Sequence, residues 1–519
     1  MRAIMPPMRL CLVSLLLLCA ACTGQGTAHN TLPVDTLVRL TEAEARGLDP
    51  QMLSDLSSIR IASDQFEGLT RYTASGEVEA ALAGDWSMSG DGLVWTFRLK
   101  PGIRFSDAAP ITAQHFEKAL ARINDPASTS PHGALFAIIE SINAPASNVV
   151  MVRLRNPFPQ LPALLAHPAM AALPFHLITA KGEDWTSIRP LVTSGAYRLT
   201  DWRLNQQMTL TANPHWAGGR PKTAKLIWKS MDNPLSSMRL MIAGGADIST
   251  AYPANRQAWL KQHYPNMVHG SGYLATYYFA FNTRRRPFDN KDVRLALAMA
   301  TDRPWMTEKM IAAGNEPAWG LLPPGLARKS AYRPAWADWP KEKRLSVAKQ
   351  LLTKAGYSAE RPLRFEIRFN SSPEHRRAAA ALATMWRPLN VEATLLNSEA
   401  SLHFDSLKRG DFELARSGWV ADLPAPENFL LVHKSDAGAQ NYSGYNNSAY
   451  DAALAAALAE PNPERRATKM QEAEIILAQD MPVLPLYFYI STALINPRIT
   501  GWQDNIANIH PSYNLAIKR

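Results

Sequence analysis

One apolar run decides what the rest of this chain can be. Leu10 to Ala20 (LCLVSLLLLCA) follows the positive residues Arg2 and Arg9 and ends on small residues. All three cysteines, Cys11, Cys19 and Cys22, lie within this run or next to it. A positive start, a short apolar stretch and small residues at its end make an export signal, too short to serve as a mature membrane span. Everything beyond it must therefore fold without an internal disulfide or a thiolate metal site. No later stretch has the apolar length of a membrane span. Ala163 to Phe175 comes nearest, and His167, Pro168 and Pro174 interrupt it.

Two readings of the signal's end stay open. Cys19-Ala20-Ala21-Cys22 resembles a bacterial lipobox, which makes Cys22 the lipidated first residue of the mature chain. Leu18 lies one place further from Cys22 than that pattern prefers, so plain cleavage near Ala21 competes. Residues 1–21 are then the signal and 22–30 a polar tether. The CxxC spelled by Cys19 and Cys22 has redox spacing, but it sits at an export site and not in a βα unit, so it is not read as redox.

At 519 residues the chain exceeds what one core can fill, because single cores stop growing near roughly 250–300 residues. At least two lobes are expected. The 38 prolines argue against an all-helical protein and for a loop-rich α/β chain. The formal net charge of +10 is scattered along the sequence. Its densest run, Arg284-Arg285-Arg286, reads as a solvated turn and not as a nucleic-acid patch.

Alternation predicts strands at Thr36 to Leu40, Val94 to Leu99, Gly195 to Leu199, Met208 to Ala212 and Phe365 to Phe369. The aromatic run Tyr277 to Phe281 and the segment Val483 to Tyr489 read as strands too. Helical spacing is found at Asp292 to Thr301, Arg344 to Ala355 (closed by Gly356), His375 to Trp386, Ser448 to Ala459 and Glu464 to Gln479. A helix over Ala113 to Ile123 is expected to be capped by Thr112. Helices are denser after Asn233 than before it, which suggests unequal lobes.

Catalytic signatures are missing. The sequence has no GxSxG elbow, no HExxH and no phosphate-binding Gly-rich loop. Ser346-Val-Ala-Lys349 fits SxxK, but its partner motifs are absent and it lies on an amphipathic helix. The 12 histidines show no ligand spacing, so no metal site is expected.

One ordered set of motifs covers nearly the whole chain after the signal. It runs Phe66-Glu-Gly-Leu69, Val94-Trp-Thr-Phe-Arg-Leu-Lys-Pro-Gly-Ile-Arg-Phe-Ser-Asp107, Pro110-Ile-Thr-Ala113, Ser194-Gly-Ala-Tyr197 with Trp202, and Asn213-Pro-His-Trp216. Phe279 to Asn282 before Pro287-Phe288, Val293-Arg-Leu-Ala-Leu, Asn441-Tyr-Ser-Gly-Tyr445 and Pro485-Leu-Tyr487 complete it. The set resembles the peptide/nickel-type (family 5) extracytoplasmic solute-binding proteins of ABC importers. Where the family pattern has Ser-Asp-Gly, this chain reads Ser106-Asp107-Ala108. Phe369-Asn-Ser-Ser-Pro-Glu-His375 and Phe412-Glu-Leu-Ala-Arg-Ser-Gly-Trp-Val-Ala-Asp422 with Pro426 are similar to the oligopeptide-binding branch.

The resemblance implies ligand-binding roles for five residues. Asp422 would hold a peptide's α-ammonium group, Arg416 its terminal carboxylate, and His375 a longer register. Trp419 and Tyr278 would be walls of a side-chain pocket. The physics agrees, because a peptide enclosed between lobes needs an opposite charge at each end, and Arg suits a carboxylate through its planar fork. Each role has a structural rival. Asp422 could cap the turn at Pro424, Arg416 could pair with Glu413 or Asp405, and His375 could simply start its helix. Trp419 could be partly core, and Tyr278 rests only on its place in an aromatic strand.

The resemblance also sets the expected architecture: α/β, a large two-lobed periplasmic-binding-protein-like fold with an extra inserted domain. Lobe I takes 31–66, 190–275 and 489–519, the inserted domain 67–189, and lobe II 276–488. The implied function is capture of oligopeptides for an ABC permease, as a non-enzyme without cofactor, nucleic acid or metal. A monomer is expected, in the periplasm or cell envelope and held by at most a lipid. Same-family receptors for dipeptides, cell-wall peptides or another solute, and a peptide-sensing role, are the alternatives; an unrecognised hydrolase ranks last. Charges used by the branch for other registers fall near Ile311 and Leu407, a pocket tryptophan falls at Ala400 and a cysteine at Val420. The implied length preference is therefore open.

Overall fold

In the computed structural model, residues 32–326, 331–421 and 423–518 are described. Their central feature is one sheet of eleven strands. From one edge its main path runs through strands Val391–Ser398, Leu363–Asn370, Leu414–Val420, Val268–Phe281 and Val483–Ile495. It continues through Ile248–Ser249, Thr36–Thr41, Lys225–Ser230, Gln207–Ala212 and Tyr197–Arg203. The short strand Glu316–Pro317 joins from the side, against Val483–Ile495.

Two long antiparallel strands carry this sheet from one half of the molecule to the other. Val268–Gly272 pairs with Ile490–Leu494, and Thr276–Ala280 pairs with Val483–Phe488. The register shifts between Gly272 and Thr276. Residues 268–273 and 489–492 are exposed or half-buried, while 274–281 and 483–488 are buried. A strand pair that is dry at one end and wet in the middle has lost its packing layers at the crossing.

Packing layers cover both faces of each half. Tyr277, Phe279 and Phe281 point to a core with Leu297, Leu382 and Trp386, while Tyr278 and Ala280 point to another with Tyr450, Leu454, Met470 and Leu477. In the other half, Leu37 packs with Phe66, Tyr197 and Trp228, and Val38 and Leu40 pack with Met241 and Leu260. A separate four-stranded antiparallel sheet, from strands between Ala83 and Leu154, has its own core around Phe97, Phe105, Phe116 and Val152. Leu423 and Ala425 from the far half pack into that core.

Two local expectations are corrected and one holds. The two crossing strands are longer than the aromatic and apolar runs that signalled them. The helix Gln114–Ile123 carries no side-chain cap from Thr112. Instead the Thr112 backbone N–H donates to His115 Nδ1 at 3.0 Å. The arginine run Arg284-Arg285-Arg286 is exposed in a turn, as its charge led us to expect.

Candidate ligand cleft

Strand Leu414–Val420 runs antiparallel to Val268–Phe281, with Arg416 opposite Phe279 and Gly418 opposite Tyr277. Directly paired residues share a face, so Arg416 and Tyr277 are on one side of the sheet, and Ser417, Trp419 and Tyr278 are on the other. The five site residues expected from the sequence are thus divided.

The first side holds a charged cluster. The Arg416 guanidinium lies 4.8 Å from the Tyr277 ring centre. Its Nη2 donates to Tyr489 Oη at 3.1 Å and its Nη1 to Asn370 Oδ1 at 3.4 Å. Its Nε is buried without a partner. Among the described residues no carboxylate pairs with Arg416. Both rivals are engaged elsewhere: Glu413 accepts the Glu366 N–H at 2.7 Å, and Asp405 is 3.7 Å from Lys408. Burial pulls the Arg416 pKa down, but Tyr489 and Tyr277 outweigh it and the pKa is raised. This is a permanently charged group whose donors are only half used.

His375 joins the same cluster. It sits in the first turn of helix Pro373–Trp386, whose N-cap Ser372 accepts from the Glu374 N–H. Its Nδ1 shares a 3.1 Å hydrogen bond with Tyr277 Oη. Burial, the Arg416 charge and His403 push its pKa down to about 4, so the ring is neutral at ordinary pH. Tyr487 stacks on Tyr277 at 4.5 Å and donates to Glu374 Oε1 at 2.5 Å. From behind, His403 Nε2 donates to the Arg416 carbonyl at 2.8 Å, which fixes the strand beneath the guanidinium.

The other side corrects one expectation. Tyr278 is 2% exposed and packs inside a core, 6.1 Å from the His433 ring. It does not wall a pocket beside Arg416. The tyrosines that flank Arg416 are Tyr277 and Tyr489. Trp419 is half-buried, and its Nε1 donates to Asn428 Oδ1 at 3.0 Å. Asp422 and Cys22 lie outside the described residues. On either side of Asp422, the Ala421 N–H donates to the Leu274 carbonyl at 2.8 Å, and Leu423 is buried in the core of the four-stranded sheet. Sequence reasoning missed Tyr489, Asn370 and His403. Their signal exists only in three dimensions, because they come from three different elements.

A sheet shared by two halves through a thin crossing, with a solvent-reaching charged cluster beside it, defines a two-lobed binding protein of the periplasmic class. Comparison with known proteins agrees. The family model for bacterial extracellular solute-binding proteins, family 5 (middle region), matches residues 77–441. The chain is 31% identical over 487 residues to the periplasmic oligopeptide-binding protein OppA of Escherichia coli K12, covering 90% of this chain and 89% of that one. It is 32% identical over 491 residues to the periplasmic murein peptide-binding protein MppA of the same organism, covering 90% of each. The solved structure of the MppA murein tripeptide binding protein in its unliganded open form superposes with a TM-score of 0.84 at 30% identity, over 94% of this chain and 98% of that one. The chain belongs to family 5 of the bacterial extracellular solute-binding proteins.

Proposed function

We propose that this protein is an exported receptor that encloses peptides between its lobes and delivers them to an ABC transporter permease, without chemistry on the ligand. The observation that carries the reading is Arg416, a largely buried cation with an orphan Nε and no carboxylate partner among the described residues. Such a group is costly unless an anion arrives to pair with it. A peptide's terminal carboxylate matches the planar fork in charge and geometry. Asp422 is assigned to the α-ammonium group at the other end. Neutral His375 and Tyr277 offer hydrogen bonds to longer ligands, and Trp419 offers an apolar wall. Both relatives named above are peptide receptors of the periplasm, which supports the same compartment and ligand class. Residues 31–66, 190–275 and 489–519 are proposed to move as one lobe and 276–488 as the other, bending at the crossing strands. Lipid anchoring at Cys22 and a monomeric state belong to the same proposal.

The near-equal likeness to an oligopeptide receptor and a murein peptide receptor leaves two ligand classes to separate. Mass spectrometry of ligands retained on purification, followed by calorimetry with peptides of two to six residues and with murein tripeptide, does so. Micromolar or tighter binding of ordinary peptides supports the oligopeptide reading, and binding of murein tripeptide alone replaces it. Hydrolysis of a bound peptide by the purified protein would contradict a receptor altogether.

A further inference from the structure

A second feature lies away from the cleft. Helices Pro234–Ile242 and Gln257–His263 cover the core formed by Val38, Leu40, Met241 and Leu260. Between them runs a shallow groove of about 350 Å³, lined by Leu235, Met238, Ile242 and Trp259, with Arg239 and Arg256 beside them. Trp259 is 38% exposed and stacks on His263 at 4.7 Å. Residues 232–266 contain two carboxylates: Asp232, exposed just before the first helix, and Asp247, buried and bound to Arg498 at 2.6 Å. Arg239, Arg256 and Lys261 are exposed. Among the described residues none of them pairs with a carboxylate. An apolar groove, an exposed indole and unpaired cations are the composition that lies at a lipid headgroup boundary.

Position adds a second argument. Leu32, the first described residue, packs against the same core as Leu235 and Ile242. Cys22 is ten residues earlier, so a lipid carried there is at most about 35 Å of extended chain from this face. We propose that this helix pair is a docking face for an anionic phospholipid surface, holding the receptor with this side of its lobe toward the membrane. The docking does not depend on which solute the cleft takes. An acidic protein surface would match the same groups, so the vesicle experiment is what separates it from lipid.

The test uses the full chain carrying Cys22→Ser, so that no acyl chain contributes, sedimented with vesicles. Binding is expected to phosphatidylethanolamine–phosphatidylglycerol vesicles, reduced by high salt, and weak on phosphatidylcholine. Arg239→Gln with Arg256→Gln should weaken it at least tenfold, since each basic residue near an anionic surface contributes about fivefold. Both side chains are exposed, so the melting temperature should not move. Lys341→Gln with Lys349→Gln removes the same charge from the other lobe and should leave binding unchanged. Three results would each overturn the proposal: no sedimentation with anionic vesicles, as for a face that meets an acidic protein; equal binding to phosphatidylcholine; or equal loss in the two double variants.

Discussion

At Arg416 the competition is between desolvation and attraction. Burial alone would lower its pKa, yet the phenol oxygens of Tyr489 and Tyr277 hold the guanidinium charged. Its neighbour His375 goes the other way, and burial beside that charge keeps its ring neutral down to about pH 4. Peptide affinity should therefore stay flat between pH 5.5 and 7, below the range where the peptide's own α-amino group titrates. Calorimetry across that range checks it, and an affinity change centred near pH 6.5, the ordinary histidine value, would show that His375 titrates in the free cleft. Arg416 and His375 were both legible from local motifs. Their meeting through Tyr277 was not, because the run Tyr277-Tyr-Phe-Ala-Phe281 is apolar on both faces and hides its period of two. Only pairing with Leu414–Val420 shows that Tyr277 faces Arg416 while Tyr278 faces the core.

The crossing strands show which elements a sequence reveals. Their buried halves were visible as apolar runs. Residues 268–273 (VHGSGY) were not, because a strand wet on both faces leaves no hydrophobic period to read. What steadies the buried half is Glu474 on helix Pro463–Asp480. Its Oε1 accepts the N–H groups of Leu321 and Leu322 at 2.9 Å each, and the Leu321 carbonyl accepts Thr276 Oγ1 at 2.7 Å. Glu474 is fully buried, and burial raises its pKa to about 7 against the pull of those two hydrogen bonds. A raised carboxylate stabilises the fold at low pH and loses that contribution as the pH climbs through about 7. Glu474→Gln keeps the acceptor and removes the charge, so at pH 8 it should unfold at no lower denaturant concentration than wild type. Glu474→Ala leaves two buried donors unpaired beside a cavity and should cost about 2–4 kcal/mol. Equal losses in both variants would show that the carboxylate charge itself holds the segment.

Over the whole molecule, acid should be the weak side. His167 and His510 are pushed down to about 3, and His375, His403 and His433 to about 4, burial being the first cause in each. The unfolded chain binds protons at these sites near pH 6.5 while the fold resists them, so their stabilisation is whole above pH 6.5 and is lost as the pH falls toward 4. Glu474, Asp64 and Glu67, all raised by burial, oppose this, but they are three groups against seven once His115 and His132, also lowered by burial, are counted. Melting temperature should drop between pH 6.5 and 4.5 by several degrees, at about 2–4 °C per kcal/mol for a unit of 150–250 residues. A flat profile by differential scanning calorimetry would contradict it. The need for two lobes was legible in the chain length, and the family in its ordered motifs. How the lobes join was not, because one sheet built from both chain ends and the middle has no local signature.

The central claim is that Arg416 waits for a peptide carboxylate. Calorimetry of the best-bound peptide and its C-terminal amide, on wild type and on Arg416→Gln, measures the coupling directly. The account predicts that amidation weakens binding to wild type at least tenfold, that Arg416→Gln weakens the free peptide about as much, and that amidation then costs the variant little more. Equal affinity of wild type for the acid and the amide would contradict it.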